Sequence, residues 1–95
     1  MAVLAESELQ SRVAGMPGWE VRDGALEKSY DRGDFDGSMA FVNRVADAAE
    51  QVDHHPDILV HGGNEVRLTL TTHSEGRVTD NDHAMAQRID GLIAG

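Results

Sequence analysis

Residues 34–73 read DFDGSMAFVNRVADAAEQVDHHPDILVHGGNEVRLTLTTH, and this stretch decides the fold because it holds one helix, one break and one hairpin in succession. Phe35, Met39, Val42, Val45/Ala46, Ala49 and Val52 recur at spacings of three and four residues, the period of a helix with one apolar face. Asp34 stands where an N-cap oxygen is wanted. The helix is expected to end near His54, because Pro56 has no amide hydrogen to donate and pushes His55 out of the α region. Ile58–Val60 and Val66–Thr72 then flank His61-Gly62-Gly63-Asn64, residues that accept positive φ, so the pair reads as a hairpin. In the returning strand Val66, Leu68 and Leu70 point one way, while Arg67, Thr69, Thr71 and His73 point the other.

Working outward, Leu4, Leu9 and Val13 make an imperfect apolar stripe across the first 15 residues, with Ser7 a candidate N-cap followed three residues later by Gln10. Gly15, Pro17 and Gly18 stop this helix. Trp19–Val21 and Ala25–Tyr30 read as strands joined by the turn pair Asp23-Gly24. After a loop from Ser74 to Val78, Thr79 followed by Asp80 and Asp82 opens a last helix whose buried side carries Met85, Ile89 and Leu92. The order is therefore α-β-β-α-β-β-α. Hairpins between helices, with no βαβ alternation, argue an α+β fold: a four-stranded antiparallel sheet with three helices packed on one face. At 95 residues the chain, 1–95, is a single domain.

Seventeen acidic residues against eight basic ones give a net charge of −9, the wrong sign for neutralising phosphates, so no nucleic acid and no anionic membrane surface is expected as a partner. Without cysteine there is neither a disulfide nor a thiol nucleophile. The opening MAVLAESELQ lacks the uninterrupted apolar stretch of a signal peptide, and no run approaches the roughly 18 apolar residues of a membrane span. A cytoplasmic location is the expectation.

The chemistry concentrates in Glu50-Gln51-Val52-Asp53-His54-His55-Pro56 and in His73 at a strand end. A helix running to His54 would place Glu50 one turn behind it, within reach of an imidazole nitrogen. His55 leaves on the bent backbone before Pro56, and His73 lies on the strand face away from the core. An unperturbed imidazole titrates near 6.5, so one ring can give a proton at neutral pH while another takes one. Zinc is the competing use of such a cluster, but adjacent histidines rarely aim at one metal and no HExxH pair is present, so no metal is expected. Each residue also has a plain structural use. Glu50 can be a solvated acid, His54 can face the helix C-terminal dipole, and Asp82, three after Thr79, fits the N3 position of a capping box. Trp19 reads as a core or interface anchor, and His61 and His83 as surface residues.

From Gly18 to Asp82 the chain resembles the pterin-4a-carbinolamine dehydratases, also called 4a-hydroxytetrahydrobiopterin dehydratases. The resemblance is carried by Gly18-Trp19-Glu20, Asp34-Phe35, Phe41 to Arg44, Glu50-xxx-His54-His55-Pro56, Asn64-x-Val66-x-Leu68-Thr69-Leu70-x-Thr72-His73, and Asp82 nine residues later. It implies an enzyme that dehydrates a 4a-hydroxytetrahydropterin to the quinonoid dihydropterin without metal or organic cofactor. By this resemblance His54, His55 and His73 are catalytic, His54 and His73 moving protons and His55 positioning substrate, while Glu50, Pro56 and Asp82 orient them or bind. It further implies a homodimer or homotetramer. Family members also serve as interaction proteins for a transcription factor, so a non-catalytic dimeric module is the alternative, as is action on another pterin of the molybdenum-cofactor type. The sequence departs from the family at Gly63, where an aromatic residue usually precedes the Asn, and a pocket wall or packing contact is at stake there.

Overall fold

A computed structural model describes residues 2–94. The elements are α1 (Glu6–Ala14), β1 (Glu20–Arg22), β2 (Ala25–Asp31), α2 (Phe35–Val52), β3 (Asp57–His61), β4 (Glu65–Leu70) and α3 (Asp80–Ala94). This is the α+β order expected from the sequence. The four strands form one antiparallel sheet in the order β1-β2-β4-β3. None of the helices is long and apolar enough to cross a membrane, among the described residues.

Register follows from the period-2 apolar pattern, which a one-residue slip would turn inside out. Leu26 faces Leu70 and Tyr30 faces Val66 across β2 and β4. Leu26, Val66, Leu68 and Leu70 are fully buried and join one core with Leu9 of α1, Phe41 and Val45 of α2, and Met85 and Ile89 of α3. The three helices therefore cover the same face. The other face carries polar side chains, with Arg22 3.3 Å from Glu27. Between β1 and β2, Asp23 and Gly24 both take positive φ, 51° and 77°, the twist a two-residue hairpin needs.

Several boundaries differ from the sequence reading for local reasons. α1 starts after Ala5, which offers no side-chain cap, and Ser7 lies inside it. The acids Glu6 and Glu8 supply the negative charge that its first turn favours. In α2, Asp34 Oδ1 accepts from the Gly37 amide at 2.7 Å, the expected cap. The helix stops at Val52 rather than His54. Asp53 takes a left-handed conformation, φ 51°, and the His54 amide reaches back to the Ala49 carbonyl at 3.1 Å, closing the helix end. The buried stripe is rotated from the one expected: Ser38, Phe41, Val45, Ala48 and Ala49 face inward, whereas Phe35 and Val52 are 60% and 46% exposed. Ser38 can be buried because its hydroxyl donates toward the Asp34 and Gly63 carbonyls, at 2.9 and 2.8 Å. β4 ends at Leu70, two residues early, although the inward alternation continues to buried Thr72.

Trp19, expected as an anchor, is buried, and its Nε1 donates to Asp90 at 3.0 Å. Lys28 Nζ and the Tyr30 hydroxyl donate to the same carboxylate at 2.9 and 2.7 Å. Burial works to raise the Asp90 carboxyl, but the hydrogen bonds from Tyr30, Lys28 and Trp19 overcome it and hold the group below its ordinary value. Burial, reinforced by the Asp90 hydrogen bond and charge, pushes the Tyr30 phenol far upward. This cluster ties the first hairpin to α3.

Candidate functional site

The start of α3 builds the site. Thr79 caps it through Oγ1, which accepts from the Asn81 amide at 3.3 Å, and Asp82 Oδ2 answers by accepting from the Thr79 amide at 2.9 Å. That is the reciprocal capping box suggested by the sequence. Asp82 does more than cap. It is fully buried, Oδ2 also accepts from the Thr72 hydroxyl at 2.8 Å, and Oδ1 lies 2.5 Å from His54 Nε2. A buried carboxylate is costly unless its oxygens are met by donors, and here three groups meet them. With Nε2 as the donor to Asp82, Nδ1 of His54 is left as the atom that takes up or releases a proton.

His54 is held just past the end of α2 and its side chain is only 14% exposed. Its neighbour differs. His55 Nε2 lies 2.5 Å from Glu50 Oε2, in a pair whose side chains are 53% and 74% exposed. Such an exposed pair is worth about 0–1 kcal/mol and orients a ring loosely. The sequence reading gave Glu50 to His54; the structure gives it to His55. The left-handed residue Asp53 reverses the chain before His54, so the helical i, i+4 relation no longer applies.

A cleft of about 330 Å³ opens beside His54 between the end of α2 and one face of α3, lined by Val52, His54, Asn81, Ala84, Met85 and Arg88. Its size falls at the lower end of the range for small-molecule pockets, and it pairs apolar walls with three polar side chains. Asn81 and Arg88 were not foreseen as site residues. Their signal was present in the spacing 81, 84/85, 88, one face of a helix, which could be assigned only once α2 was known to lie beside it.

The remaining expected site residues are placed as follows. Pro56 is half-buried and leads directly into β3. His73 sits in the exposed turn after Thr72, and among the described residues its side chain has no hydrogen-bond or ion-pair partner. It is nevertheless one residue from Thr72, whose hydroxyl is bonded to Asp82. His61 lies 3.3 Å from Glu65 in the β3–β4 hairpin, and His83 Nδ1 receives the Arg12 guanidinium at 3.0 Å, so neither lines the cleft. No three His, Asp or Glu side chains converge as a metal-binding set among the described residues.

Gly63 is remote from this cleft. Its carbonyl meets Ser38 in the first turn of α2, whereas His54 follows the last. The 18 residues of α2 put about 27 Å between the two ends. Gly63 also has φ 80°, next to Gly62 at φ 64°, so a side chain at position 63 would be strained in this turn whatever space it found. Within one chain, the missing aromatic therefore takes no wall from the His54 cleft.

A family model described as pterin 4 alpha carbinolamine dehydratase matches residues 2–92. A protein of Herpetosiphon aurantiacus named "Putative pterin-4-alpha-carbinolamine dehydratase" is 43% identical over 94 residues, covering 99% of this chain and 97% of its own. A protein of Thermomicrobium roseum with the same name is 44% identical over 94 residues, covering 99% of this chain and all of its own. Among solved structures, a transcriptional coactivator/pterin dehydratase from Brucella melitensis superposes with a TM-score of 0.88 at 35% identity, over 95% of this chain and 97% of that one. A pterin dehydratase-like protein identified as a RuBisCO assembly factor in the alpha-carboxysome superposes with a TM-score of 0.63 at 25% identity, over 78% and 84%.

Proposed function

The chain belongs to the pterin 4 alpha carbinolamine dehydratase family, and on that premise we propose that it dehydrates a 4a-hydroxytetrahydropterin to the quinonoid dihydropterin and water. The observation that carries this reading is the buried Asp82 carboxylate 2.5 Å from His54 at the wall of a small-molecule cleft. In the reaction the C4a–O bond breaks, a C4a=N5 bond forms, the proton leaves N5, and the hydroxyl departs as water after protonation. One group must give a proton and another must take one, which is work for imidazoles near neutral pH.

In this reading His54, oriented through Nε2 by Asp82, exchanges a proton through Nδ1. His73, next to the Asp82-bound Thr72, is its counterpart. His55, steadied by Glu50, positions the substrate, and Pro56 fixes where that ring leaves the backbone. No metal or organic cofactor is required. We place the protein in the cytoplasm as a homodimer or homotetramer. The edge strand β3, with Ile58 and Leu59 exposed on it, offers a surface for that assembly, and light scattering would read the mass.

The test generates 4a-hydroxytetrahydropterin in situ and times its conversion by absorbance with and without the protein, beside a His54→Ala/His55→Ala variant. Acceleration by the wild type and its loss in the folded variant support the enzyme and the site together. No acceleration from folded wild type overturns the reading and puts a binding role first, of the kind named for the coactivator and assembly-factor neighbours.

A further inference from the structure

We propose that the side chain of the pterin substrate is anionic, a phosphate ester or a carboxylate, and that Arg88 is the residue that selects it; this rests on the pterin reading above. Arg12, Arg22, Lys28 and Arg67 each sit within 4.0 Å of an acid. Arg32, Arg44, Arg77 and Arg88 do not, among the described residues, and of these four Arg88 is the one that lines the cleft beside His54. It donates instead to the neutral amide oxygen of Gln51 across the α2–α3 groove. That contact steadies the guanidinium and leaves its charge and most of its N–H groups uncommitted.

Its position gives the charge a direction. Among the described residues Arg88 is the one Lys or Arg side chain lining the His54 cleft, and it also lines a second hollow of about 450 Å³ farther along the same groove, so the two spaces meet at this residue. Arg88 is six residues from Asp82 on α3, about 9 Å along the axis. A flat ring lying against His54, Val52 and Met85 would therefore extend its substituent toward Arg88. Asp47 lines the outer hollow, and Arg44 there donates to the Leu92 carbonyl at 3.2 Å. Arg44 and Asp47 offset each other in the outer space, so Arg88 is the cation a negative group meets first from the His54 cleft. Guanidinium suits phosphate and carboxylate alike, because its planar donor fork matches both.

The experiment is calorimetric titration of wild type and Arg88→Gln with three dihydropterins whose side chains are neutral hydroxyalkyl, the same group phosphorylated, and carboxyalkyl. Wild type is expected to bind at least one anionic ligand about tenfold or more tightly than the neutral one, the size of a charge-assisted hydrogen bond. Arg88→Gln should erase that preference, lowering the affinity of the anionic ligand about tenfold more than that of the neutral one, and comparison of the two anions shows whether phosphate or carboxylate is preferred. Equal binding of all three by wild type, or a preference that survives in the variant, overturns the proposal alone. Failure of wild type to bind any of the three overturns the pterin reading and this proposal with it.

Discussion

Two carboxylates eight residues apart on α3 are each met by three donors, and they do different things. Asp90 receives Trp19, Lys28 and Tyr30, all from the first hairpin and the segment leading into it. Asp82 receives Thr79 and Thr72 from its own surroundings and His54 from across the molecule. The donors on Asp90 are groups that keep their protons at neutral pH, so that cluster is a fixed fastening. One donor on Asp82 is an imidazole that lines a cleft and can exchange a proton. What sets the two carboxylates apart is thus what each holds and where that partner opens.

The largest effect expected from this contrast is catalytic. His54→Ala should lower the dehydration rate about 10²–10⁴-fold, the usual weight of a general acid or base, in a protein whose circular dichroism is unchanged. Asp90→Asn should leave the rate of the folded protein near wild type. If Asp90→Asn removed activity as fully as His54→Ala, the division between fastening and reactive carboxylate would be gone.

Stability should not separate the two in the same way. Asp90→Asn leaves Lys28 without its counter-charge and weakens the Trp19 and Tyr30 bonds, and His54→Ala takes a donor from the fully buried Asp82 carboxylate, so each should cost about 1–3 kcal/mol although only the second removes activity. Urea unfolding of the two variants measures this directly.

Acid pH sharpens the same point. The folded Asp90 carboxyl lies below its ordinary value, so its contribution is present above an unfolded pKa of about 3.9 and is lost as pH falls through the lower folded value. Asp31, also held low by hydrogen bonds from Gly33 and Asn64, adds to the same limb. Unfolding midpoints from pH 6 to 2 should therefore fall less steeply in Asp90→Asn than in wild type. An unchanged slope would show that the carboxylate titrates alike in both states.

The smallest effect belongs to Glu50→Gln. Its pair with His55 is solvent-exposed, so stability should change by about 0–1 kcal/mol, and the loss should shrink further at high salt. A loss near that of Asp90→Asn would mean that His55 is held as firmly as His54.

Much of the site could be read along the chain. That the helix must end before Pro56 follows from proline chemistry, and the Thr79–Asp82 capping box from spacing; the box is present, whereas the helix ends two residues before the expected His54, closed by left-handed Asp53. The pairing of Glu50 was misread because it depends on Asp53 adopting positive φ, which a non-glycine residue does not announce. The inward face of α2 was misread at Phe35 and Val52, since side chains at helix ends stay apolar whether or not a neighbour covers them. Ser38 was missed as a core residue because its burial requires the Gly63 carbonyl, 25 residues away.

By itself the amino-acid sequence determined the element order, the antiparallel hairpins and the place where imidazoles and carboxylates gather, because apolar period, proline and capping residues act within a few positions of themselves. Only the tertiary structure decided that Asp82, rather than Glu50, holds His54, that Asp90 fastens the first hairpin, and that Arg88 faces the same cleft as His54. Those contacts join residues 28 to 71 positions apart, and their geometry is set by how the helices pack against the sheet, a property of the whole core rather than of any one segment.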